Sequence, residues 1–138
     1  MTKIISSPSC GNSPKMEFLK EFNIAFAKGD VKYLIESVTD DIVWDIVGDK
    51  QIKGKVDFAV ELEKMKGYKA SELVLDQILS HGKEGAANGT MKMEDGKTYA
   101  FSDFYRFKGA KGVKIQSISS YTIEVLSSIK KTSENGGL

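Results

Sequence analysis

Apolar residues recur along this chain with two different periods, and the period changes near residue 70. Before it, they fall at helical spacing. Phe18, Phe22, Ala25 and Phe26 stand at i, i+4, i+7 and i+8, with Leu19 beside them, which makes one face of an amphipathic helix. Ser13-Pro14 supplies an N-cap and a proline at the first helical position, and Gly29 supplies the stop. Asp30 can cap a second, shorter helix with Val31, Leu34, Ile35 and Val38 on its apolar face. Over 42–47 the period drops to two: Ile42, Trp44 and Ile46 share one face, and Val43, Asp45 and Val47 the other, as in a strand. Gly48-Asp49 turns the chain. Ile52 and Gly54 lead into a third helix over 55–66, with Phe58, Ala59, Leu62 and Met65 apolar and Gly67 as terminator.

From residue 71 onward only strands are predicted: 73–80, 86–93, Thr98–Phe107 and 113–124, separated by Gly-containing turns at 81–85, 94–97 and 108–112. Residues 1–13 are expected as a flexible lead-in, 14–126 as one domain, and 127–138 as a frayed tail. Helices gathered first and antiparallel hairpins after them predict an α+β fold. The curved antiparallel sheet should wrap around the three helices, its concave face lining a pocket. Its convex face should need cover from a second subunit. Ile118, Ser120 and Thr122 are the side of the last strand expected to meet that subunit.

Thr98–Phe107 carries the chemistry. Asp103 shares its strand face with Tyr99, Phe101, Tyr105 and Phe107, so its carboxyl must be desolvated, paired or aimed into a cavity. Desolvation would raise its pKa toward the range useful for proton exchange near neutrality. Asp45, flanked by valines, is a second candidate carboxyl. Phe18, Phe22, Phe58 and Phe101 are expected to line an apolar wall, and Tyr105 and Tyr121 to orient a ligand carbonyl. Trp44 reads as a core or interface anchor, and His81 as an exposed turn residue.

Composition narrows the partners. Twenty Lys+Arg oppose nineteen Asp+Glu in 138 residues, a net charge of +1 with no basic block, which argues against nucleic acid. No apolar run approaches the ~18 residues of a membrane span. One Cys and one His point to no metal site and no cofactor held by one, and a cytoplasmic protein is expected.

The order of elements resembles the nuclear transport factor 2-like superfamily, in its SnoaL-like and ketosteroid isomerase-like branch, over about residues 14–125. Phe26-Ala-Lys-Gly-Asp30 is similar to the family's junction between its first two helices. Asp40-Asp-Ile-Val-Trp-Asp-Ile-Val-Gly48 resembles the isomerase stretch whose Asp is the general base, here Asp45. Ser102-Asp-Phe-Tyr-Arg-Phe107, followed by Gly109 and Lys114-Ile115, resembles the strand bearing the oxyanion-donating Asp of the isomerases and the acid/base Asp of the cyclases, here Asp103. The resemblance implies a cone-shaped, ketosteroid isomerase-like α+β barrel. It also implies cofactor-free acid/base chemistry, by isomerisation, cyclisation or dehydration, on a small apolar carbonyl compound in a homodimer, with Asp103 and Asp45 catalytic. The isomerases' donor Tyr on the first helix corresponds to Phe22, which cannot donate. A non-catalytic ligand-binding or dimerisation module of the same fold is the alternative.

Overall fold

The computed structural model describes residues 1–109 and 113–126. Its elements in chain order are β1 (Lys3–Ser6), α1 (Pro14–Lys28), α2 (Val31–Glu36), β2 (Val38–Ile46), β3 (Lys50–Lys53), α3 (Lys55–Met65), β4 (Ala70–His81), β5 (Glu84–Met93), β6 (Thr98–Phe107) and β7 (Ile115–Glu124). The helix ends follow their local chemistry. Ser13 Oγ accepts from the Met16 backbone N–H at 3.2 Å, and Gly29 closes α1 in the left-handed region at φ 74°. Asp30 caps α2 by accepting from the Tyr33 backbone N–H at 3.2 Å.

The strands form one open, seven-stranded sheet in the order β1-β4-β5-β6-β7-β2-β3. The β4–β7 meander is antiparallel, whereas β1 runs parallel to β4 and β2 parallel to β7, so the sheet is mixed. All three helices supply side chains to one face of it. The core between them holds Leu19, Leu34, Ile42, Phe58, Leu73, Leu75, Phe107 and Ile115, all essentially inaccessible. The α+β architecture and the three-helix, curved-sheet arrangement are as expected. Among the described residues no helix is long and apolar enough to cross a membrane.

Three segments differ from the pattern-based expectation. Residues 3–6, placed in the flexible lead-in, form β1. They are held by the β4 edge and by bonds from Thr2 Oγ1 to Ala70 O (2.8 Å) and from Ser7 N to Leu75 O (3.0 Å). Cys10 beyond them is buried. Such a short strand carries too little sequence to signal itself, and pairing alone creates it. Val38, assigned to the second helix, opens β2 because α2 ends at Glu36. Residues 50–53 are a strand, not a lead-in to α3, since β2 offers them an edge with Trp44 opposite Ile52. The tail at 127–138 lies outside the described residues.

Strand parity also differs in one place. Ile115 and Ile118 are both buried although an odd number of positions separates them. The β6–β7 register shifts between Arg106 and Phe107, and this irregularity reverses the facing of everything after it. Ile118, Ser120 and Thr122 therefore line the interior, not the outer face expected to meet a second subunit. The outer face carries Phe104, Tyr121 and Ile123, all exposed.

A second irregularity lies between Leu75 and Gln77 on β4, where β5 brings Gly89 against it. A Cβ on Gly89 would fall on the Val74 carbonyl oxygen, a backbone atom with no freedom to yield. Gly89→Ala is expected to destabilise the protein by about 2 kcal/mol or more. A urea midpoint unchanged from the parent would show that β4 and β5 separate freely at this point.

Candidate functional site

Helices and concave sheet face do not close completely; they leave a cavity of about 230 Å³. Its walls come from α1 (Phe22, Phe26), α3 (Phe58, Leu62), β2 (Trp44), β5 (Met91, Met93), β6 (Phe101) and β7 (Ile118). The aromatic rings brace one another edge to face: Phe26 on Trp44 at 6.1 Å, Trp44 on Phe58 at 5.6 Å, and Phe22 on Tyr105 at 6.0 Å.

One side of this apolar space is polar. Asp103 faces it from the middle of β6, directly opposite Ser120 on β7. The Tyr105 hydroxyl donates to Asp103 Oδ2 at 3.2 Å, and Ser120 is hydrogen-bonded to the same carboxyl. Burial pushes the Asp103 pKa up from 3.8 to about 6, opposed by these two bonds, which favour the charged form. The Tyr105 phenol is pushed well above its ordinary value, by burial first and the Asp103 charge second. Asn23 on α1 is buried and donates through Nδ2 to the Leu19 carbonyl (2.8 Å) and to the Tyr105 hydroxyl (3.1 Å). Trp44 Nε1 donates to Ser120 Oγ at 3.0 Å. At an exposed edge of the cavity, Tyr68 donates to Asp95 Oδ2 at 2.8 Å.

Of the residues singled out from sequence, Asp103, Tyr105, Phe22, Phe58 and Phe101 come together on this cavity. Three do not. Asp45 pairs in register with Ser119 and Gln51 and alternates away from Trp44, so its side chain is on the outer face and cannot share a ligand with Asp103. Tyr121 is also on the outer face, 48 % exposed and stacked edge-on against Phe104. Phe18 is half-buried between the rings of Phe22 and Phe107, in the core beside the cavity. Trp44, expected as a core or interface anchor, is buried in the core and lines the cavity as well.

Asn23 and Ser120 were not anticipated. Asn23 had a usable signal: it lies four residues after Leu19 on a helix face that is otherwise apolar, where a buried amide must find partners. Ser120 had none, because its facing depends on the register shift. No group of three or more His, Cys, Asp or Glu among the described residues is arranged to hold a metal ion.

No protein-family profile and no curated protein matches the chain. Solved structures do. An NTF2-like protein of unknown function from Cytophaga hutchinsonii is 26% identical, with a TM-score of 0.62 over 78% of this chain and 97% of its own. A candidate ketosteroid isomerase from Kribbella flavida aligns at 10% identity and a TM-score of 0.66, over 82% of this chain and 80% of its own. An LEH-like epoxide hydrolase from M. tuberculosis aligns at 18% identity and a TM-score of 0.67, over 79% and 82%. At these identities the last two likenesses are of fold alone.

The raised Asp103 pKa sets a pH dependence. The folded state holds the proton more tightly than the unfolded chain, so the associated stability is complete below about pH 4. It is lost as pH rises through about 6, a difference of about 3 kcal/mol. Asp103→Asn should therefore match the parent near pH 4 and exceed its stability near pH 8 by about 2–3 kcal/mol. Urea denaturation at the two pH values checks this; a variant less stable at pH 8 would mean the carboxylate is favourably held.

Proposed function

Because this chain has the nuclear transport factor 2-like fold, we propose that its cavity binds a small, largely apolar carbonyl compound and that Asp103 acts on it as a cofactor-free acid/base. The observation that carries this reading is the position of Asp103, the one carboxyl among the described residues lining a largely apolar cavity. With a pKa of about 6 it is ionised at neutral pH yet close enough to neutrality to exchange a proton. In the proposed step the carboxylate takes a proton from the carbon next to the carbonyl. The C–H electron pair passes into the enolate, and the carboxyl then returns the proton to a different carbon. Return of the proton completes an isomerisation, and the enolate before that return is the first stage of a cyclisation or dehydration. One carboxyl serves both transfers, because Asp45 is on the other face of the sheet.

A second reading, a binding module without chemistry, draws on a specific observation. Asn23, Tyr105 and Ser120 direct their donors at protein acceptors, and Phe22 has none to give, so the developing enolate oxygen would lack a dedicated partner. In either case the exposed Phe104, Tyr121 and Ile123 on the outer sheet face are read as the contact of a cytoplasmic homodimer.

A monocyclic β,γ-unsaturated ketone in deuterated water separates the readings. Acid/base chemistry predicts appearance of the conjugated isomer, with any deuterium taken from solvent at its γ carbon, and Asp103→Asn slower by about a hundredfold or more. Binding without formation of the conjugated isomer supports the module, and absence of binding removes both. In sedimentation at micromolar concentration the homodimer predicts a species of twice 15.2 kDa, and a clean monomer rejects it.

A further inference from the structure

Every hydroxyl that touches Asp103 is itself held by a group that can only donate. On one arm, the Asn23 amide is oriented by the Leu19 carbonyl, which only accepts, so the nitrogen lies at Nδ2. Its second N–H goes to the Tyr105 hydroxyl at 3.1 Å, which makes that oxygen an acceptor there. The single Tyr105 proton is then left for Asp103 Oδ2. On the other arm, the Trp44 indole N–H, which has no acceptor capacity, donates to Ser120 Oγ at 3.0 Å. The single Ser120 proton is left for Asp103, its cross-strand neighbour.

We propose that Asn23 and Trp44 are positioning residues that turn both hydroxyls onto Asp103 and so hold it as an acceptor, restricting the cavity to ligands that present a hydrogen-bond donor or an acidic C–H at that point. This deepens the reading of the cavity as a small-molecule site and rests on it. Protonation would turn one carboxyl oxygen into a donor and weaken both oxygens as acceptors for the two incoming hydroxyl protons, so both arms favour the carboxylate. A ligand carbonyl has no proton to offer and must point elsewhere. Within the proposed reaction, Asp103 is thereby the base and not the oxyanion donor.

The charged surroundings leave this assignment to the two arms. Besides Asp103, the titratable residues lining the cavity among the described residues are Tyr105 on its own strand, Tyr99 farther along β6, Tyr68 and Lys66. Lys66 is paired with Glu63 at 2.9 Å. The groups from α1, α3, β2, β5 and β7 on the same cavity carry no charge.

Two measurements test the proposal. The first follows the Asp103 carboxyl carbon by NMR against pH in the parent, Asn23→Leu, Trp44→Phe and Ser120→Ala. Each variant should raise the midpoint, Ser120→Ala by about one pH unit because a whole bond to the carboxylate is lost. Ser120→Ala removes only one oxygen from the fold, so it remains informative if a larger change fails to fold. Unmoved midpoints would overturn the proposal.

The second compares 4-ethylphenol with its methyl ether, a pair of similar shape of which only the phenol donates. Quenching of Trp44, the single tryptophan, reports binding in the parent and in Ser120→Ala. Near pH 8 the phenol should bind about tenfold more tightly, and the preference should narrow near pH 4.5, where Asp103 is protonated. Equal binding of both at pH 8 overturns the acceptor assignment while leaving a small-molecule site intact. Binding of neither overturns the site itself, and this inference with it.

Discussion

A single carboxyl group held against apolar walls organises the interior of this protein. Burying it costs free energy, and the Tyr105 and Ser120 hydroxyls recover only part of that cost, which is why its pKa stays near 6 and does not return to 3.8. The recovery depends on three elements meeting in one place. β6 brings Asp103 and Tyr105, β7 brings Ser120, and α1 lays Asn23 across the sheet so that its amide reaches Tyr105. The helix and the concave face are thus joined by a buried polar contact as well as by apolar packing. A buried polar contact is directional, so it fixes the rotation of α1 in a way that Leu19 and Phe22 alone would not.

The sheet can present this arrangement only because it is irregular. Regular pairing continued from Phe107 and Ile115 would turn Ser120 to the outer face and put Ser119 opposite Asp103 in its place. The shift between Arg106 and Phe107 reverses the facing and sends Ile118, Ser120 and Thr122 inward. The shift between Leu75 and Gln77 accompanies the close approach of β5 at Gly89, where no side chain fits. These are places where the ladder gives up regular pairing and the sheet gains bend. The cavity exists because the bend leaves the helices short of filling the concavity.

The site is economical in chemical groups. One carboxyl, two hydroxyls, one amide and one indole N–H make a closed polar cluster, and most of the rest of the wall is aromatic, aliphatic and methionine side chain. Such a wall selects by shape and apolar contact, and a single polar group selects orientation. Likeness of fold to an epoxide hydrolase and a candidate ketosteroid isomerase is compatible with several chemistries, since the fold positions a cavity and leaves the reaction to the residues on it.

How much of this could be read from the chain alone varies by element. Strong periodicity with punctuation located α1, α3 and β6, the last at Thr98–Phe107, because apolar spacing, caps and glycines act within a few residues of one another. Asp103 was legible for the same reason: a carboxyl among four aromatic face-mates has few places to go. β1 and β3 were not, being four-residue strands that exist through the edges they pair with. Asp45 resembled a catalytic residue in its local motif, but its facing was settled by which side of β2 met the helices. Tyr121 and Ser120 exchanged roles through a register shift several residues away, where β7 fits an extra residue between Ile115 and Ser117 opposite Phe107 and Arg106. Local patterning determined which segments are helix or strand and where a carboxyl would be uncomfortable. Tertiary structure alone decided which side chains face one another, because facing depends on strand register and bulges, and these minimise the free energy of the whole sheet rather than of any one strand.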